Sequence, residues 1–374
     1  MKKILIIAYP PLDKDPRPIK QIEWLSNGYI VHTLGTKKNG KEQKYFHLKK
    51  LSWQEELIRI PLLIFGFFKL FYWDKYKKEI LRKDFLYDYD LIIVHEVRLL
   101  PLALKKFKTS KILLDAHEYS PENFSDQFLW RITYGRYYKW LCKNFLDKID
   151  IITTVSNGIK ELYEKNFNVK VEVIINSAKY FPNLKPSPID PEHIKIIYHG
   201  NASPSRNLEL MIEAAKDFKK NYHLYLMLVY SKSSRHYYNK LRKKAAKLNN
   251  VHFIAPVEYK DIIEFSNSYD IGIQFHPPVN TNLRFGLGNK FFEFIQSRLA
   301  IIIGPAPEMV RYIKKYKLGV IVKDFEPSTL AKAVNNLKVT DIEKYKYQSH
   351  YYSRKLSQIN EQKKFINLVE RILT

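Results

Sequence analysis

The sequence is poor in the residues that build disulfide-stabilised or membrane-spanning proteins. Its 374 residues include a single cysteine, Cys142, so the chain cannot form an intramolecular disulfide. The longest apolar run, Ile60 to Phe68, is far shorter than the ~20 residues that span a bilayer as a helix. These absences argue against a disulfide-rich secreted fold and against a transmembrane protein, and we expect a cytoplasmic location.

Three motifs of nucleotide and metal chemistry are also missing. The chain has no Gly-x-x-x-x-Gly-Lys-Ser/Thr P-loop, no Gly-x-Gly-x-x-Gly after its first strand, and no Cys/His zinc spacing. Asp88-Tyr89-Asp90 looks like a metal-binding Asp-x-Asp, but it precedes a strand, whereas ligands bind beyond the carboxyl ends of strands. We therefore expect no cofactor, no essential metal and no Walker-type phosphotransfer.

Negative charge is scarce relative to positive charge. Lys and Arg number 63 against 38 Asp and Glu, which gives a formal net charge of +25. A field of this sign attracts polyanions, so nucleic acid, anionic lipid and phosphorylated substrates all stay open as partners. A lysine-rich solvated surface without a specific partner explains the same balance. Because no recognised nucleic-acid-binding motif is present, we expect no nucleic acid partner.

Short β-branched runs alternate with helical stretches along the whole chain. The first half contains KILIIAY, YIVHTLG, LIIVHE, KILLDAH, IDIITTVS and VEVIIN, and the second IKIIYHGN, LYLMLVY, VHFIAPV, DIGIQFH, AIIIG and LGVIVK. Near-continuous apolar strands between helices predict parallel sheets covered on both faces. The pattern and the length predict an α/β protein of two doubly wound, Rossmann-like domains with parallel sheets facing across an interdomain cleft.

Clustered prolines mark the expected boundary between these domains. The stretch YFPNLKPSPIDP, residues 180–191, cannot lie in a helix interior or a central strand. We predict an N-terminal domain over residues 1–182, a linker over 183–192 and a C-terminal domain over 193–354. A C-terminal helix within residues 355–374 is expected to pack back towards the N-terminal domain.

Polar residues follow three strands of the first half. Arg17 lies near the start of the helix after KILIIAY, where it and the helix amides suit an anion. His95 and Glu96 end one strand, and His117 and Glu118 follow the next. A neutral imidazole at a strand end can hydrogen-bond a sugar hydroxyl. A solvated arginine and a purely structural histidine are the alternatives, although two polar pairs on one rim favour a shared site.

Two strand-to-helix turns of the second half predict an anion site. Gly200 and Asn201 end the strand IKIIYHGN, and Arg206 lies just before the next helix, where it suits a diphosphate. The turn Gly286-Leu287-Gly288-Asn289-Lys290 opens the helix that contains Glu293, a carboxylate suited to the vicinal hydroxyls of a ribose. An ordinary turn with an exposed arginine, and a first-turn carboxylate that only complements the helix dipole, are the alternatives.

In their order and spacing these pieces resemble the retaining family 4 glycosyltransferases of the GT-B fold. The resemblance runs through ILIIAYPP, DAHEYSPE, TTVSNGIKELY, VIINSAKY, YHGNASPSRNLELMIEAA, NKFFEFIQSRLAIIIG and LAKAVNNL. It implies retaining transfer of a sugar from a nucleotide-sugar donor, a UDP-sugar ahead of a GDP-sugar, to a glycan or lipid-linked glycan acceptor in bacterial surface polysaccharide biosynthesis. A nucleotide-sugar epimerase of the same architecture and a nucleic-acid-binding protein are the alternatives.

The resemblance also implies roles for the residues above. The catalytic set is His117, Arg206 and Lys290; the donor-binding set is Gly200, Asn201, Arg206, Val257, Gly286, Leu287, Gly288, Asn289 and Glu293; the acceptor-side set is Arg17, His95, Glu96 and Glu118. Asn176 matches the asparagine that closes the N-terminal domain of the family. The chain departs from the family at Phe285, where the first glutamate of a Glu-x7-Glu pattern is usual, and at Asn201, where an arginine is usual.

One segment of the first half combines apolar, aromatic and basic residues. Residues 59–78, RIPLLIFGFFKLFYWDKYKK, suit either a membrane interface rich in anionic lipid or a helix buried nearly all round. A second basic aromatic stretch, residues 128–140, favours the membrane alternative. An anionic membrane surface is therefore a candidate partner, with peripheral attachment to the inner face of the cell membrane.

Overall fold

The computed structural model, which describes residues 1–12 and 15–374, contains two parallel sheets, one in each of two structural units. Unit 1 comprises Met1–Ile175, Asn280–Asn282 and Gln362–Thr374, and unit 2 comprises Asn176–Val279 and Leu283–Glu361. The predicted α/β fold with two parallel, doubly wound sheets is confirmed.

The sheet of unit 1 has seven strands. They are β1 (Lys3–Ala8), β2 (Ile30–Gly35), β3 (Lys44–His47), β4 (Leu91–His95), β5 (Lys111–Ala116), β6 (Ile151–Thr154) and β7 (Val171–Val173). Their spatial order is β3-β2-β1-β4-β5-β6-β7, and every pairing is parallel. The order reverses between β1 and β4, so the crevice for a ligand is expected at the carboxyl ends of these two strands.

Helices cover both faces of this sheet. They are α1 (Pro16–Leu25), α2 (Trp53–Ile64), α3 (Phe68–Tyr72), α4 (Lys75–Arg82), α5 (Leu100–Lys106), α6 (Phe128–Trp130), α7 (Arg136–Phe145) and α8 (Asn157–Phe167). Ser52 and Glu55 form a reciprocal capping box that starts α2. Leu63 is the buried residue of α2. This helix is therefore not buried all round, and that alternative for residues 59–78 is wrong for α2.

The sheet of unit 2 has six strands. They are β8 (Ile194–Asn201), β9 (Tyr222–Val229), β10 (Val251–Ile254), β11 (Ile271–Gln274), β12 (Ala300–Ile303) and β13 (Gly319–Ile321). Their spatial order is β10-β9-β8-β11-β12-β13, again with parallel pairings. The order reverses between β8 and β11, so the expected crevice lies at the ends of these strands.

The remaining helices follow the strands of unit 2. They are α9 (Glu209–Ala215), α10 (Arg235–Ala245), α11 (Ile262–Ser266), α12 (Thr281–Phe285), α13 (Asn289–Gln296), α14 (Pro307–Tyr316), α15 (Pro327–Asn335), α16 (Val339–Tyr352) and α17 (Gln358–Leu373). The last part of α17 belongs to unit 1, whose core includes Phe365, Leu368 and Val369. In the described part of the chain, no helix has the length and apolar character needed to cross a bilayer.

The proline-rich segment predicted as a linker belongs to unit 2. The fully buried Arg298 donates hydrogen bonds to the carbonyls of Phe181 (2.5 Å) and Leu184 (3.1 Å). Lys346 Nζ donates to Ser187 Oγ over 3.0 Å. These buried cations fix the segment, so the boundary between the units falls at Ile175 and Asn176, earlier than the sequence predicts.

A buried ion pair ties α1 to the sheet of unit 1. Arg17 Nε and Nη2 each donate to the carboxylate of Asp115 over 2.6 Å, and Nη1 donates to the carbonyl of Ile174 over 2.7 Å. Gln21 Nε2 and Thr153 Oγ1 donate to the same carboxylate over 2.5 and 2.8 Å. Both carboxylate oxygens of Asp115 are thus bonded twice, which satisfies a charge that burial would otherwise penalise.

Replacing Arg17 tests how strongly unit 1 depends on this pair. We predict that Arg17→Met lowers the free energy of unfolding of unit 1 by about 3–5 kcal/mol, because Asp115 stays buried without its counter-charge. Hydrogen exchange of the β1 and β5 amides measures this for unit 1 separately. Arg371→Met is the matched control: it removes an exposed pair with Glu172 and should cost at most about 1 kcal/mol.

The same pair makes stability depend on pH. Burial alone would raise the pKa of Asp115, but the Arg17 guanidinium beside it holds that pKa well below its usual range. A depressed carboxyl pKa contributes stability above the unfolded value of about 3.9 and loses it as pH falls below that value. Equal losses for Arg17→Met and Arg371→Met at pH 7 would contradict this account.

Candidate functional site

Two cations converge on the backbone of Gly200, near the end of β8. Gly200 has a φ of +139°, and a β-carbon at this position would clash with Lys290 Cε and lie 2.9 Å from Arg206 Nη1. Arg206 donates to the hydroxyl of Tyr198 (3.2 Å) and the carbonyl of Asn201 (3.3 Å). Lys290 Nζ lies 5.9 Å from the centre of the Tyr198 ring. Both cations therefore contact neutral groups, and their charge suits an anionic ligand.

The surroundings of Lys290 disfavour its charged form. Burial and repulsion from Arg206, partly offset by Glu293, lower the pKa of Lys290 to about 7. Burial and the same two cations lower the pKa of His199 and of His276 to about 3, so both imidazoles are neutral at pH 7. An anion bound here would favour the charged form of Lys290, so protonation and anion binding support each other.

Several buried polar atoms in this cluster lack a hydrogen-bond partner. Across residues 1–12 and 15–374, these atoms include His199 Nε2, Gln274 Oε1 and His276 Nδ1. Gln274 ends β11 and lies against Gly288, and the His276 ring is 6.0 Å from that of Tyr198. Because buried polar groups in proteins are nearly always paired, orphan atoms in one cluster indicate that water or a polar ligand completes it.

Glu293 lies inside the cluster. Its exposed fraction is 4%, and its Oε2 is 3.6 Å from His199 Nε2. The Tyr259 hydroxyl forms a hydrogen bond with this carboxylate, and burial together with Glu293 raises the pKa of Tyr259. Since α13 begins at Asn289, Glu293 is in its second turn, which argues against a side chain that only complements the helix dipole.

An open cavity of about 440 Å³ lies at the carboxyl ends of β9 and β10. Its walls include Tyr230, Tyr238, Arg242, Phe253, Ala255 and Pro256. The rings of Tyr230 and Tyr238 are stacked with their centres 4.3 Å apart. Since β9 neighbours β8, the cavity and the cation cluster lie along the same rim of one sheet. A flat aromatic wall suits a planar ring system.

Unit 1 carries a histidine pair at the ends of β4 and β5. His95 Nδ1 and His117 Nε2 are hydrogen-bonded over 2.8 Å, and burial lowers the pKa of His95 to about 3. Asp115 Oδ2 lies 3.7 Å from His95 Nδ1 and 3.8 Å from His117 Nε2, close enough for the three groups to share a metal ion. Both oxygens of Asp115 are already committed to the ion pair with Arg17 and its neighbours. The carboxylate therefore serves the ion pair, and at 3.7 and 3.8 Å it is too far from the imidazoles to hydrogen-bond them.

Two protein-family models match successive parts of the chain. The model described as Glycosyltransferase Family 4 matches residues 23–178, and the model described as Glycosyl transferases group 1 matches residues 182–355. The chain belongs to the GT-B glycosyltransferases. It is therefore a transferase enzyme, as the sequence predicts.

Solved structures share the fold of this glycosyltransferase. A glycosyltransferase from Rickettsia africae has a TM-score of 0.72 at 15% identity and covers 100% of this chain and 99% of its own. Sucrose-phosphate synthase from Thermosynechococcus elongatus has a TM-score of 0.75 at 12% identity, covering 100% and 99%. Anabaena HepE, solved in complex with UDP, has a TM-score of 0.69 at 14% identity, covering 99% and 100%. No curated protein sequence matches the chain.

The glycosyltransferase brings the main predicted donor-side residues into one cluster. Gly200, Arg206 and Lys290 meet directly, and Glu293 acts electrostatically on Lys290. Gly288 has a φ of −69°, so no left-handed glycine is needed there; a β-carbon would lie 3.3 Å from Gln274 Nε2. Close approach to Gln274, not turn geometry, therefore explains Gly288.

The other predicted donor-side residues surround this cluster. Asn201 is exposed and offers its carbonyl to Arg206, while Leu287 is buried. Asn289 Oδ1 accepts a hydrogen bond from Asn176 Nδ2 over 2.8 Å. Gly286 and Val257 are half-buried, Val257 just beyond β10. Contact between these five residues and a donor stays a prediction.

The acceptor-side predictions have mixed outcomes. Arg17, expected to bind an anion, is instead buried in its pair with Asp115, so it cannot serve a ligand. His95 and His117 lie together at the rim. Burial and the nearby Glu96 raise the pKa of Glu118, which places these two carboxylates close together.

Sequence reasoning missed Tyr198, His199, Gln274, His276 and Tyr259. Tyr198 and His199 immediately precede Gly200, and Gln274 and His276 close the run DIGIQFH. The strand-end rule, applied to β11 as it was to β8, would have found Gln274 and His276. Tyr259 reaches Glu293 from the short 3-10 helix Tyr259–Asp261 and gives no signal in the sequence.

The repulsion between the two cations can be measured directly. We predict that Arg206→Gln raises the pKa of Lys290 above about 7, because it removes a nearby positive charge. NMR titration with ¹³C-lysine measures this pKa, and Lys290→Met assigns the signal. Arg354→Gln, which changes an exposed arginine, should leave the pKa unchanged. An ordinary lysine pKa for Lys290 in the unmodified protein would contradict the geometry.

Proposed function

We propose that the protein is a retaining glycosyltransferase that takes a sugar from a nucleoside-diphosphate donor bound in unit 2. The convergence of Arg206 and Lys290 on Gly200, beside the buried Glu293, carries the proposal. Two cations suit a diphosphate, and a buried carboxylate suits the vicinal hydroxyls of a ribose. A UDP-sugar is our first choice and a GDP-sugar our second. HepE, which shares the fold, was solved with UDP and glucose.

The cavity beside Tyr230 and Tyr238 extends the proposed donor site. It lies one strand from Gly200, on the same rim of the sheet. We propose that the base of the nucleotide occupies this cavity against the tyrosine wall, with its ribose towards Glu293 and its diphosphate on Arg206 and Lys290. Stacking on an aromatic side chain tolerates either a pyrimidine or a purine, so the wall admits both donor choices.

In the proposed reaction, the bond between the anomeric carbon and the diphosphate oxygen breaks, and its electron pair stays on the diphosphate. Arg206, Lys290 and the first amides of α13 stabilise the charge that develops there. The acceptor hydroxyl forms the new bond from the side that the diphosphate leaves, and a phosphate oxygen takes its proton. Because the two cations balance the leaving group, the proposal includes no cofactor and no essential metal.

The acceptor is assigned to residues of unit 1. His117 and His95 are imidazoles at a strand-end rim, able to hydrogen-bond a sugar hydroxyl, and Glu96 and Glu118 lie beside them. We propose a glycan or lipid-linked glycan acceptor, in bacterial surface polysaccharide biosynthesis. The enzyme would act in the cytoplasm, peripheral to the inner face of the cell membrane, which its basic aromatic segments support.

Removing Arg206 tests the proposed chemistry. We predict that Arg206→Ala lowers the rate of sugar release or transfer by roughly ten- to a thousand-fold, the range for losing one transition-state donor. The measurement is NMR of the reaction with UDP- and GDP-sugars, which also gives the anomeric configuration of the product. Arg354→Ala is the control and should keep full activity.

Three outcomes of this experiment would contradict the proposal. Unchanged turnover in Arg206→Ala would remove this residue from the site. An inverted product would exclude a retaining reaction. Epimerised donor formed without any acceptor would support the isomerase of the same architecture instead.

Removing the charge of Glu293 separates its role from that of the cations. We predict that Glu293→Gln weakens UDP binding by roughly ten- to a hundred-fold, as expected for loss of a hydrogen bond to a charged group. Inorganic diphosphate has no ribose, so its affinity should fall much less. Calorimetric titration of both ligands measures the difference. Equal losses for UDP and diphosphate would place Glu293 away from the ribose.

A further inference from the structure

A small cationic cavity lies at the carboxyl ends of β1 and β4, where the strand order of unit 1 reverses. Four of its wall residues are Lys50, Arg59, Lys77 and Arg98, and tyrosine rings form much of the rest. Its volume is about 60 Å³, room for a few water molecules or for one small anion. Its position at the switch point is the place where α/β sheets bind ligands.

Positive charge in this cavity exceeds negative charge. Lys77 pairs with Asp74, and Arg98 pairs with Glu96. Arg59 forms no ion pair with the residues that the structure describes, and it donates to the carbonyls of Leu70 (2.8 Å) and Phe71 (2.6 Å).

The guanidinium of Arg59 has an unpaired buried donor. Its Nε has no hydrogen-bond partner among the described residues. Lys50 stands nearby, with its Nζ 5.2 Å from the centre of the Tyr9 ring. Arg59 and Lys50 share the cavity with one further carboxylate, Glu56, so the local charge stays positive. A buried guanidinium donor without a partner favours an anion with an acceptor oxygen.

The backbone beside the cavity is strained. Glu96 has a φ of +82°, a conformation that costs a residue with a side chain about 1–3 kcal/mol. Its carboxylate accepts a hydrogen bond from Arg98 Nε over 2.5 Å, and Arg98 Cζ lies 4.2 Å from the centre of the Tyr9 ring. Strain of this kind is typical of ligand sites. Here it holds Arg98 against the cavity.

An exposed apolar surface adjoins the cavity. Six side chains define it, each exposing between 55% and 80% of its surface: Ile58, Phe65, Phe67, Leu70, Phe128 and Leu129. The two features meet at Leu70 and Phe71, because Leu70 belongs to the surface, Phe71 lines the cavity, and Arg59 donates to the carbonyls of both. Arg136 Nη1 bonds the carbonyl of Ile64 over 3.2 Å, which links the parts of the apolar surface.

Basic residues flank the apolar surface. Lys69, Arg131 and Arg136 are exposed on the same segments, and they outnumber the nearby exposed acidic residues Glu56 and Asp126. Exposed apolar surfaces of this kind are uncommon on isolated proteins and mark interaction sites. An apolar surface with basic neighbours and a cationic cavity is complementary to an amphiphile whose head is anionic.

We propose that the cavity and the apolar surface together bind a phosphorylated lipid. Its phosphate group lies in the cavity against Arg59, Lys50 and Arg98, and its hydrocarbon chain lies on the apolar surface. The inference rests on the proposed function, since this lipid would carry the sugar-accepting group. A free glycan has neither an anionic group for the cavity nor a hydrocarbon chain for the apolar surface. An acidic protein would not place an anionic group inside so small a cavity.

Decyl phosphate is a simple probe of this site, because it combines a phosphate head with an apolar chain. Decyl glucoside has the same chain without the charge, and inorganic phosphate has the charge without the chain. We predict that the full-length protein binds decyl phosphate at least tenfold more tightly than either, in calorimetric titration below the micelle concentration. Equal affinity for the two amphiphiles, or for decyl phosphate and inorganic phosphate, would overturn the proposal.

Matched variants locate the binding. Arg59→Gln and the surface variant Lys50→Gln should each weaken decyl phosphate binding about tenfold or more and leave decyl glucoside binding unchanged. Leu70→Ser should weaken the binding of both amphiphiles. Lys165→Gln, an exposed lysine of α8, is the control and should change neither. Lys50 is exposed, so Lys50→Gln should not disturb the fold. Unaltered decyl phosphate binding in this variant would also overturn the assignment.

UDP binding, measured on the same protein samples, keeps this inference distinct from the proposed function. UDP binding without discrimination between the two amphiphiles contradicts the lipid site alone. Selective binding of decyl phosphate without binding of UDP or GDP contradicts the proposed donor instead.

Discussion

The repulsion between Arg206 and Lys290 across Gly200 is the interaction on which the proposed chemistry of unit 2 depends. Gly200 permits it because no side chain separates the cations there. Without an anion, the site lowers this repulsion by lowering the pKa of Lys290 and keeping His199 and His276 neutral. A diphosphate would supply the missing negative charge. In the proposed reaction, the same two cations would bind the diphosphate and stabilise it as the leaving group.

The two units differ in what lies beside a cation at the rim of the sheet. In unit 1, Asp115 forms a buried ion pair with Arg17, beside the hydrogen-bonded pair of His95 and His117. In unit 2, neutral oxygens and rings contact the cations, which leaves their charge for a ligand. Both arrangements use the same α/β architecture. A paired carboxylate therefore separates the buried, structural Arg17 from Arg206, to which the proposed function assigns a ligand.

The sequence predicts the fold well because the signal is local. Continuous apolar strands between helices suffice to predict two parallel sheets. The predicted domain boundary agrees less well with the two units than the predicted fold does. Arg298 and Lys346 hold the proline-rich segment from positions more than 100 residues further along the chain. Arg17 shows the same limit in the site: its partner Asp115 is 98 residues away, so exposure statistics for arginine misplace it. Gly200, Arg206, Lys290 and Glu293 were predictable since the strand-end rule is also local.

Proton uptake on UDP binding tests the central claim most directly. At pH 8, where UDP is fully ionised and Lys290 is mostly neutral, calorimetric titration in two buffers of different ionisation enthalpy measures the protons taken up. If the diphosphate binds against Lys290, its pKa rises in the complex, and binding takes up about one proton per UDP. Lys290→Met should abolish that uptake. UDP binding to the unmodified protein without proton uptake would contradict the account.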